Sequence, residues 1–172
     1  MTESWGGIFS ILITPFTERL DLDEQGLRRQ VDFCVDAGAA GVVGPANASE
    51  FATLSDDERR RWLDIVVEQT DGRVPVIASV TSGHAHAAAD LARYAQHVGV
   101  DGIMSMPPPI LKPDEAGCAA YFRDLAGAVQ LPVILQNYAA PLGTPMKASA
   151  LARLCGEVEN IQYIKEEVPP EP

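Results

Sequence analysis

Near the C-terminal end, the run Ile161-Gln162-Tyr163-Ile164-Lys165-Glu166-Glu167 closes a short apolar stretch with one lysine and then two acids. An ammonium is costly to desolvate unless its proton leaves or an anion sits beside it. A lysine set into a strand among apolar neighbours can therefore be kept as a neutral amine, able to attack a carbonyl and form a Schiff base. The plainer alternative is that Lys165 ends an edge strand and points to water. Glu166 and Glu167 either tune that lysine or are solvated acids of the loop that follows.

Other reactive residue types carry weaker signals. His84-x-His86 has no third ligand nearby in sequence and falls where a helix should start, so it reads as a pair of exposed histidines and no metal is expected. Arg59-Arg60-Arg61 follows Asp56-Asp57-Glu58 and reads as a solvated helix face. Cys34, Cys118 and Cys155 are odd in number, widely spaced and set in helical stretches, which predicts reduced core or half-buried thiols in a cytoplasmic protein. Lys+Arg 13 against Asp+Glu 24 leaves a net charge of −11, which disfavours nucleic-acid and anionic-membrane partners. No apolar run approaches the ~20 residues of a membrane span, and the N-terminus has no secretory pattern. With 47% hydrophobic residues among 172 and mean hydropathy near zero, the chain suits one globular domain with a real core.

The elements that must position Lys165 follow from hydrophobic period and punctuation. Gly7–Ile13 is a continuous apolar run halted by Thr14-Pro15, as in a strand buried on both faces. Asp21 or Asp23 can cap a helix whose apolar face is Leu27, Val31, Cys34 and Val35, ended by Gly38. A strand over 40–44 leads into the loop 45–51, and Ser55 with Glu58 forms a capping box for a helix through Trp62, Ile65 and Val66. Strands over 74–80, 101–106 and 131–136 alternate with an alanine-rich helix from about His84 to His97, closed by Gly99, and a helix opened by Pro113-Asp114-Glu115. Thr144-Pro145 predicts a helix start, threonine as cap and proline first. Six strands and five helices in strict alternation predict βα units on a parallel sheet. No Gly-x-Gly-x-x-Gly follows any strand, so an α/β fold of the (β/α)8 TIM-barrel type, here incomplete, is expected over a nucleotide-binding sheet. Lys165 then stands at the C-terminal end of a strand, where such barrels do their chemistry.

Ile13-Thr14-Pro15-Phe16, Glu50-Phe51-Ala52-Thr53-Leu54-Ser55 with Glu58 and Arg59, Lys112-Pro113, Asn137 and Ile164-Lys165-Glu166 occur in this order along the chain. Together they make the sequence resemble the dihydrodipicolinate synthase and N-acetylneuraminate lyase family, class I pyruvate-handling lyases on that barrel. The resemblance implies that Lys165 forms an imine with pyruvate or a related 2-oxo acid, without a cofactor, the protonated imine acting as electron sink for C–C bond cleavage or formation. It implies that Asn47, Ala48 and Ser49 hold the substrate carboxylate, that Asn137 lies in the substrate site, and that the full-length protein is a homo-oligomer, commonly a tetramer.

The departures predict altered chemistry. Asn47-Ala48-Ser49 replaces the family's Thr-Thr-Gly, Gln136 stands where its proton-relay tyrosine precedes the asparagine, and Ala139 to Gly143 offers no counterpart to an arginine of the synthases. A second substrate other than that of dihydrodipicolinate synthesis is expected. Gln136 cannot act as an acid but can orient a carboxylate or hydroxyl. Tyr138 is the first candidate to replace the relay phenol, the alternative being an aromatic packed under a lid. Tyr163 is the second, sharing a face with Lys165 two residues on, the alternative being a filler of the barrel's inner layers. A complete barrel needs about 250 residues, so the chain reads as one partial domain, 1–172, lacking the last two βα units and any C-terminal helical region. A fragment, a truncated gene product and a half that assembles with another chain all fit, as does a non-catalytic barrel relic or interaction protein.

Overall fold

The computed structural model describes residues 5–139 and 142–169. Strands and helices alternate as β1 (Phe9–Ile11), α1 (Glu24–Asp36), β2 (Gly41–Gly44), α2 (Asp56–Thr70), β3 (Val76–Ser79), α3 (Ala85–Val98), β4 (Gly102–Ser105), α4 (Glu115–Gly127), β5 (Val133–Asn137), α5 (Ala148–Glu157) and β6 (Ile161–Glu166). Six strands and five α-helices in this alternation make an incomplete (β/α)8 barrel. The chain forms two compact units, one running through Ser79 with His97–Asp101 added, the other comprising Val80–Gln96 and everything from Gly102 on.

In the first unit β1, β2 and β3 pair in parallel in chain order. β2 and β3 are buried throughout, which is why both read as unbroken apolar runs. β1 is shorter than its apolar run and only half-buried, with Ile8 and Ile13 exposed beside it, so burial on both faces is not met. Its edges follow from having one strand partner among the described residues. Asp23 caps α1 by accepting from the Gly26 N–H, and Ser55 and Glu58 cap α2 reciprocally. Both caps are local: spacing alone located the Ser55–Glu58 box and narrowed the α1 cap to Asp21 or Asp23, of which Asp23 takes the role. Leu27 and Val31 of α1 and Trp62, Leu63, Ile65 and Val66 of α2 are buried.

The three arginines do not form one solvated face. Arg59 is buried, donates to the Ser79 carbonyl at 3.1 Å and lies over the Phe51 ring. Arg61 pairs with Glu24 at 2.6 Å across to α1, and Arg60 with Asp57 on its own helix. Consecutive helical residues point about 100° apart, so a run of three cannot share one environment.

Arg28–Glu68 joins Arg61–Glu24 in lacing α1 to α2, and Arg73, three residues past the end of α2, pairs with Asp32 of α1. The hydrogen bond from Arg61 holds the Glu24 carboxyl below its ordinary range, that from Arg28 does so for Glu68, and those from Gln69 and then Arg73 for Asp32. Carboxylates depressed in the folded state stabilise it at neutral pH, and that contribution is lost as pH falls through the carboxylate range. The urea midpoint is expected to drop on acidification below about pH 4. A Glu24→Gln, Asp32→Asn, Glu68→Gln variant should show a flatter profile and a lower midpoint at neutral pH; a profile as steep as the wild type's would place the acid sensitivity elsewhere.

In the second unit β4, β5 and β6 pair in parallel. Ile103, Met104, Phe122, Leu125, Leu135 and Leu154 are fully buried there. Asp114 caps α4 by accepting from the Gly117 N–H at 2.8 Å. Gly99, past the end of α3 and counted with the first unit, has a φ of +95°, the left-handed turn that its place in the sequence predicts. α5, however, begins at Ala148 with Lys147 in the cap position, not at Thr144-Pro145. The cause is tertiary: both backbone groups of Met146 are held by the Asn137 side chain, which keeps the preceding segment out of the helix. The free thiols of Cys34 and Cys155 are half-buried and that of Cys118 is buried, where desolvation pushes its pKa up. Among the described residues no helix is long and apolar enough to cross a membrane.

Candidate active site

The C-terminal ends of β5 and β6 bring the lysine to its partners. Parallel register sets Gln136 opposite Lys165 and Asn137 opposite Glu166, after an irregularity between Val133 and Ile134. Opposed residues share a face and consecutive ones alternate, so Gln136 and Lys165 lie on one face and Asn137 and Glu166 on the other. The backbone N–H of Glu167 donates to the Asn137 carbonyl at 2.9 Å and continues the ladder past the strand. Glu167 therefore returns to the face of Lys165.

On that face Lys165 Nζ lies 2.6 Å from Glu167 Oε1, and Gln136 Nε2 donates to Glu167 Oε2 at 2.6 Å. Gln136 is buried, while the Lys165 and Glu167 side chains are 32% and 31% exposed. Lys165 is neither of the two things its sequence suggests: it is not sealed in an apolar layer, and it does not point free into water. The adjacent carboxylate offsets the desolvation that a half-buried ammonium suffers.

On the opposite face Asn137 is 2% exposed and fully engaged. Its Nδ2 donates to Glu166 at 2.9 Å and to the Met146 carbonyl at 3.2 Å, and its Oδ1 accepts from the Met146 N–H at 2.8 Å. Asn137 thus positions the lead-in to α5. An Asn137→Ala variant leaves the Met146 N–H unpaired and is expected to lose roughly 1–3 kcal/mol in urea unfolding; an unchanged midpoint would mean that water or relaxation replaces the amide. A hollow of about 830 Å³ lies on this side, lined by Asn137, Met146, Lys147 and Glu166 among others, away from Lys165.

Tyr163 stands two residues before Lys165 on the same face, half-buried and opposite Ile134. Tyr138 is the first residue past β5, half-buried, with its carbonyl packed so closely on Gly143 that a Cβ there has no room. The group against the ammonium is Glu167, not a phenol. Of the loop 139–143, residues 140 and 141 lie outside the described residues, as does the tail from 170 on.

In the first unit, residues Asn47–Ser49 form one turn of 3-10 helix after β2. Ser49 is fully buried: its hydroxyl donates to the Leu12 carbonyl and accepts from the Ala46 N–H, and its own N–H donates to the Ala46 carbonyl. Thr14, buried, adds a hydrogen bond from its hydroxyl to the Ser49 carbonyl at 2.6 Å. The Ser49 side chain is spent on shaping the loop, Ala48 is exposed, and the Asn47 Oδ1 is buried without a partner among the described residues. Sequence reasoning missed Thr14 as the loop's tether, and it left open whether Glu166 or Glu167 tunes the lysine or is a solvated acid; the ion pair is with Glu167. Strand period alone, 163, 165, 167, would have put Glu167 on the lysine's face.

His84 and His86 are exposed at the start of α3, and the His84 Nδ1 accepts from the Ala87 N–H. Among the described residues no group of histidine, cysteine and acidic side chains is arranged to hold a metal ion.

Fold and site together define an incomplete (β/α)8 barrel with a lysine at the C-terminal end of a strand. Residues 4–169 match the Dihydrodipicolinate synthetase family, and the chain belongs to it. It is 39% identical over 161 residues to a 4-hydroxy-tetrahydrodipicolinate synthase from Methanopyrus kandleri, covering 93% of this chain and 54% of that one. Among solved structures, dihydrodipicolinate synthase from Aquifex aeolicus aligns with a TM-score of 0.89 at 31% identity, over 95% of this chain and 56% of that one. A prophage protein of the same family from E. coli K12, solved in complex with pyruvate, aligns with a TM-score of 0.92 at 30% identity, over 95% and 55%. The chain spans about half the length of the curated relatives it matches.

Proposed function

We propose that this chain carries the nucleophile of a class I lyase or aldolase, with Lys165 forming a Schiff base with pyruvate or a related 2-oxo acid. The observation that carries the reading is Lys165 itself, at the C-terminal end of β6, half-buried and held by a hydrogen-bonded carboxylate on the face it shares with Gln136. A relative of the same fold, solved with pyruvate, supports the substrate class. Gln136 in place of the relay tyrosine favours a proton path and a second substrate different from those of dihydrodipicolinate synthesis. The carboxylate-holding role that family resemblance gives to Asn47, Ala48 and Ser49, the place in the substrate site it gives to Asn137, a place for Tyr163 on the lysine's face of that site as second relay candidate, the relay role of Tyr138 and assembly as a homo-oligomer belong to the same proposal.

The test is mass spectrometry after incubation with pyruvate and sodium borohydride, for the wild type and Lys165→Ala. A reduced adduct on Lys165, absent from the variant, is the expected result. A folded wild type that takes no adduct from pyruvate or other 2-oxo acids would overturn the reading and leave a barrel protein whose lysine serves only its ion pair.

A further inference from the structure

Converting an ammonium and a ketone into a protonated imine moves two protons. The nitrogen begins with three and ends with one; the other two finish on the ketone oxygen, which leaves as water. Some group must take each proton from nitrogen and hand it to oxygen, and it has to sit against the nitrogen to do so. Resting on the Schiff-base reading above, we propose that Glu167 is this proton carrier, with Gln136 as the residue that positions it.

The geometry is specific to Glu167. Its Oε1 is 2.6 Å from Lys165 Nζ, while its Oε2 accepts from Gln136 Nε2 at 2.6 Å, so one oxygen is held and the other faces the nucleophile. Gln136 is 2% exposed and lies directly across the ladder from Lys165, so the amide that holds the carboxylate is itself fixed. The Glu167 backbone is tied to the Asn137 carbonyl at 2.9 Å. Glu166 cannot take the role, because its carboxylate lies on the other face, accepting from Asn137 and from the Val168 N–H. An amide has no acidic proton to deliver, which leaves Gln136 an orienting part only.

The sequence of events balances. Glu167 Oε1 takes a proton from Nζ, and the freed lone pair attacks the ketone carbon while the C=O π pair moves to oxygen. The carboxylic acid returns that proton to the oxygen, giving a carbinolamine. A second proton then passes from nitrogen to Oε1 and on to the hydroxyl, which departs as water while the nitrogen lone pair forms the C=N bond. The carboxylate ends as it began, and the single positive charge stays on nitrogen, beside it. That placement also stabilises the iminium once formed.

The test is the rate of adduct formation with pyruvate, sampled by rapid mixing into borohydride and read by mass spectrometry, for the wild type and for Glu167→Gln, Glu167→Ala and Gln136→Ala. Glu167→Gln should slow trapping about 100-fold, the scale of positioned acid–base catalysis, while the adduct reached at long times still sits on Lys165. Added formate, a free carboxylate, should recover part of the lost rate in Glu167→Ala and do nothing for the wild type, which a merely structural role for Glu167 would not produce. Gln136→Ala should fall between. A Glu167→Gln rate within about twofold of wild type, far below the expected catalytic factor, or no formate rescue of a folded Glu167→Ala, would overturn the assignment and leave the Schiff-base reading standing. A silent wild type would overturn both.

Discussion

Lys165→Arg is expected to abolish the borohydride-trapped adduct altogether while leaving the unfolding midpoint close to that of the wild type. The guanidinium keeps a permanent positive charge beside Glu167, so the ion pair and the hydrogen bond from Gln136 survive. What it lacks is a nitrogen lone pair: arginine is not deprotonated in proteins, so it cannot attack a ketone. The substitution therefore separates charge from nucleophilicity at one position, which Lys165→Ala does not. With both partners about a third exposed, the pair itself adds little to stability, since exposed ion pairs contribute about 0–1 kcal/mol. An adduct retained in Lys165→Arg would mean that another amine reacts with pyruvate.

Trp62→Ala is expected to cost about 3–5 kcal/mol in urea unfolding, the range for deleting a buried large aromatic. The indole is fully buried on α2, and its ring edge lies over Gly44 of β2, where a Cβ would come within 2.7 Å of Trp62 Cζ2. β2 and α2 are thus fitted to each other by one glycine and one tryptophan, so that Gly44→Ala should also destabilise by displacing the ring. The indole nitrogen has no hydrogen-bond partner among the described residues. An unpaired buried N–H is a cost that phenylalanine does not carry. Trp62→Phe should accordingly lose less than half of what Trp62→Ala loses; equal losses would show that the N–H is satisfied in solution.

The elements most legible in the sequence are those whose cause is local. Ser55 and Glu58 close a capping box within four residues, Asp23 and Asp114 cap through the third residue on, and Gly99 turns left-handed where the helix must stop. Each depends on neighbours in the chain, so residue type and spacing suffice. The start of α5 failed the same reasoning because its cause is not local. Thr144-Pro145 has the chemistry of a helix start, but Asn137 on β5 holds Met146 by both backbone groups and the helix begins only at Ala148. Arg59 failed likewise: read as surface, it is buried over the Phe51 ring with the Ser79 carbonyl as acceptor.

The candidate site divides along the same line. That Lys165 ends a parallel strand, and that Tyr163 and Glu167 share its side, follows from a run of apolar residues and a period of two. Which residue of β5 stands opposite the lysine does not. Pairing slipped by one residue would bring Leu135 or Asn137 to Lys165 and send Gln136 to the helices, because each step along a strand exchanges its two faces. The irregularity between Val133 and Ile134 sets that step, and with it the contact of Gln136 and Lys165 with one carboxylate. Side-chain direction along a strand is a property of the strand alone; register between strands is settled by packing and hydrogen bonds between segments distant in sequence, and only the folded chain contains it.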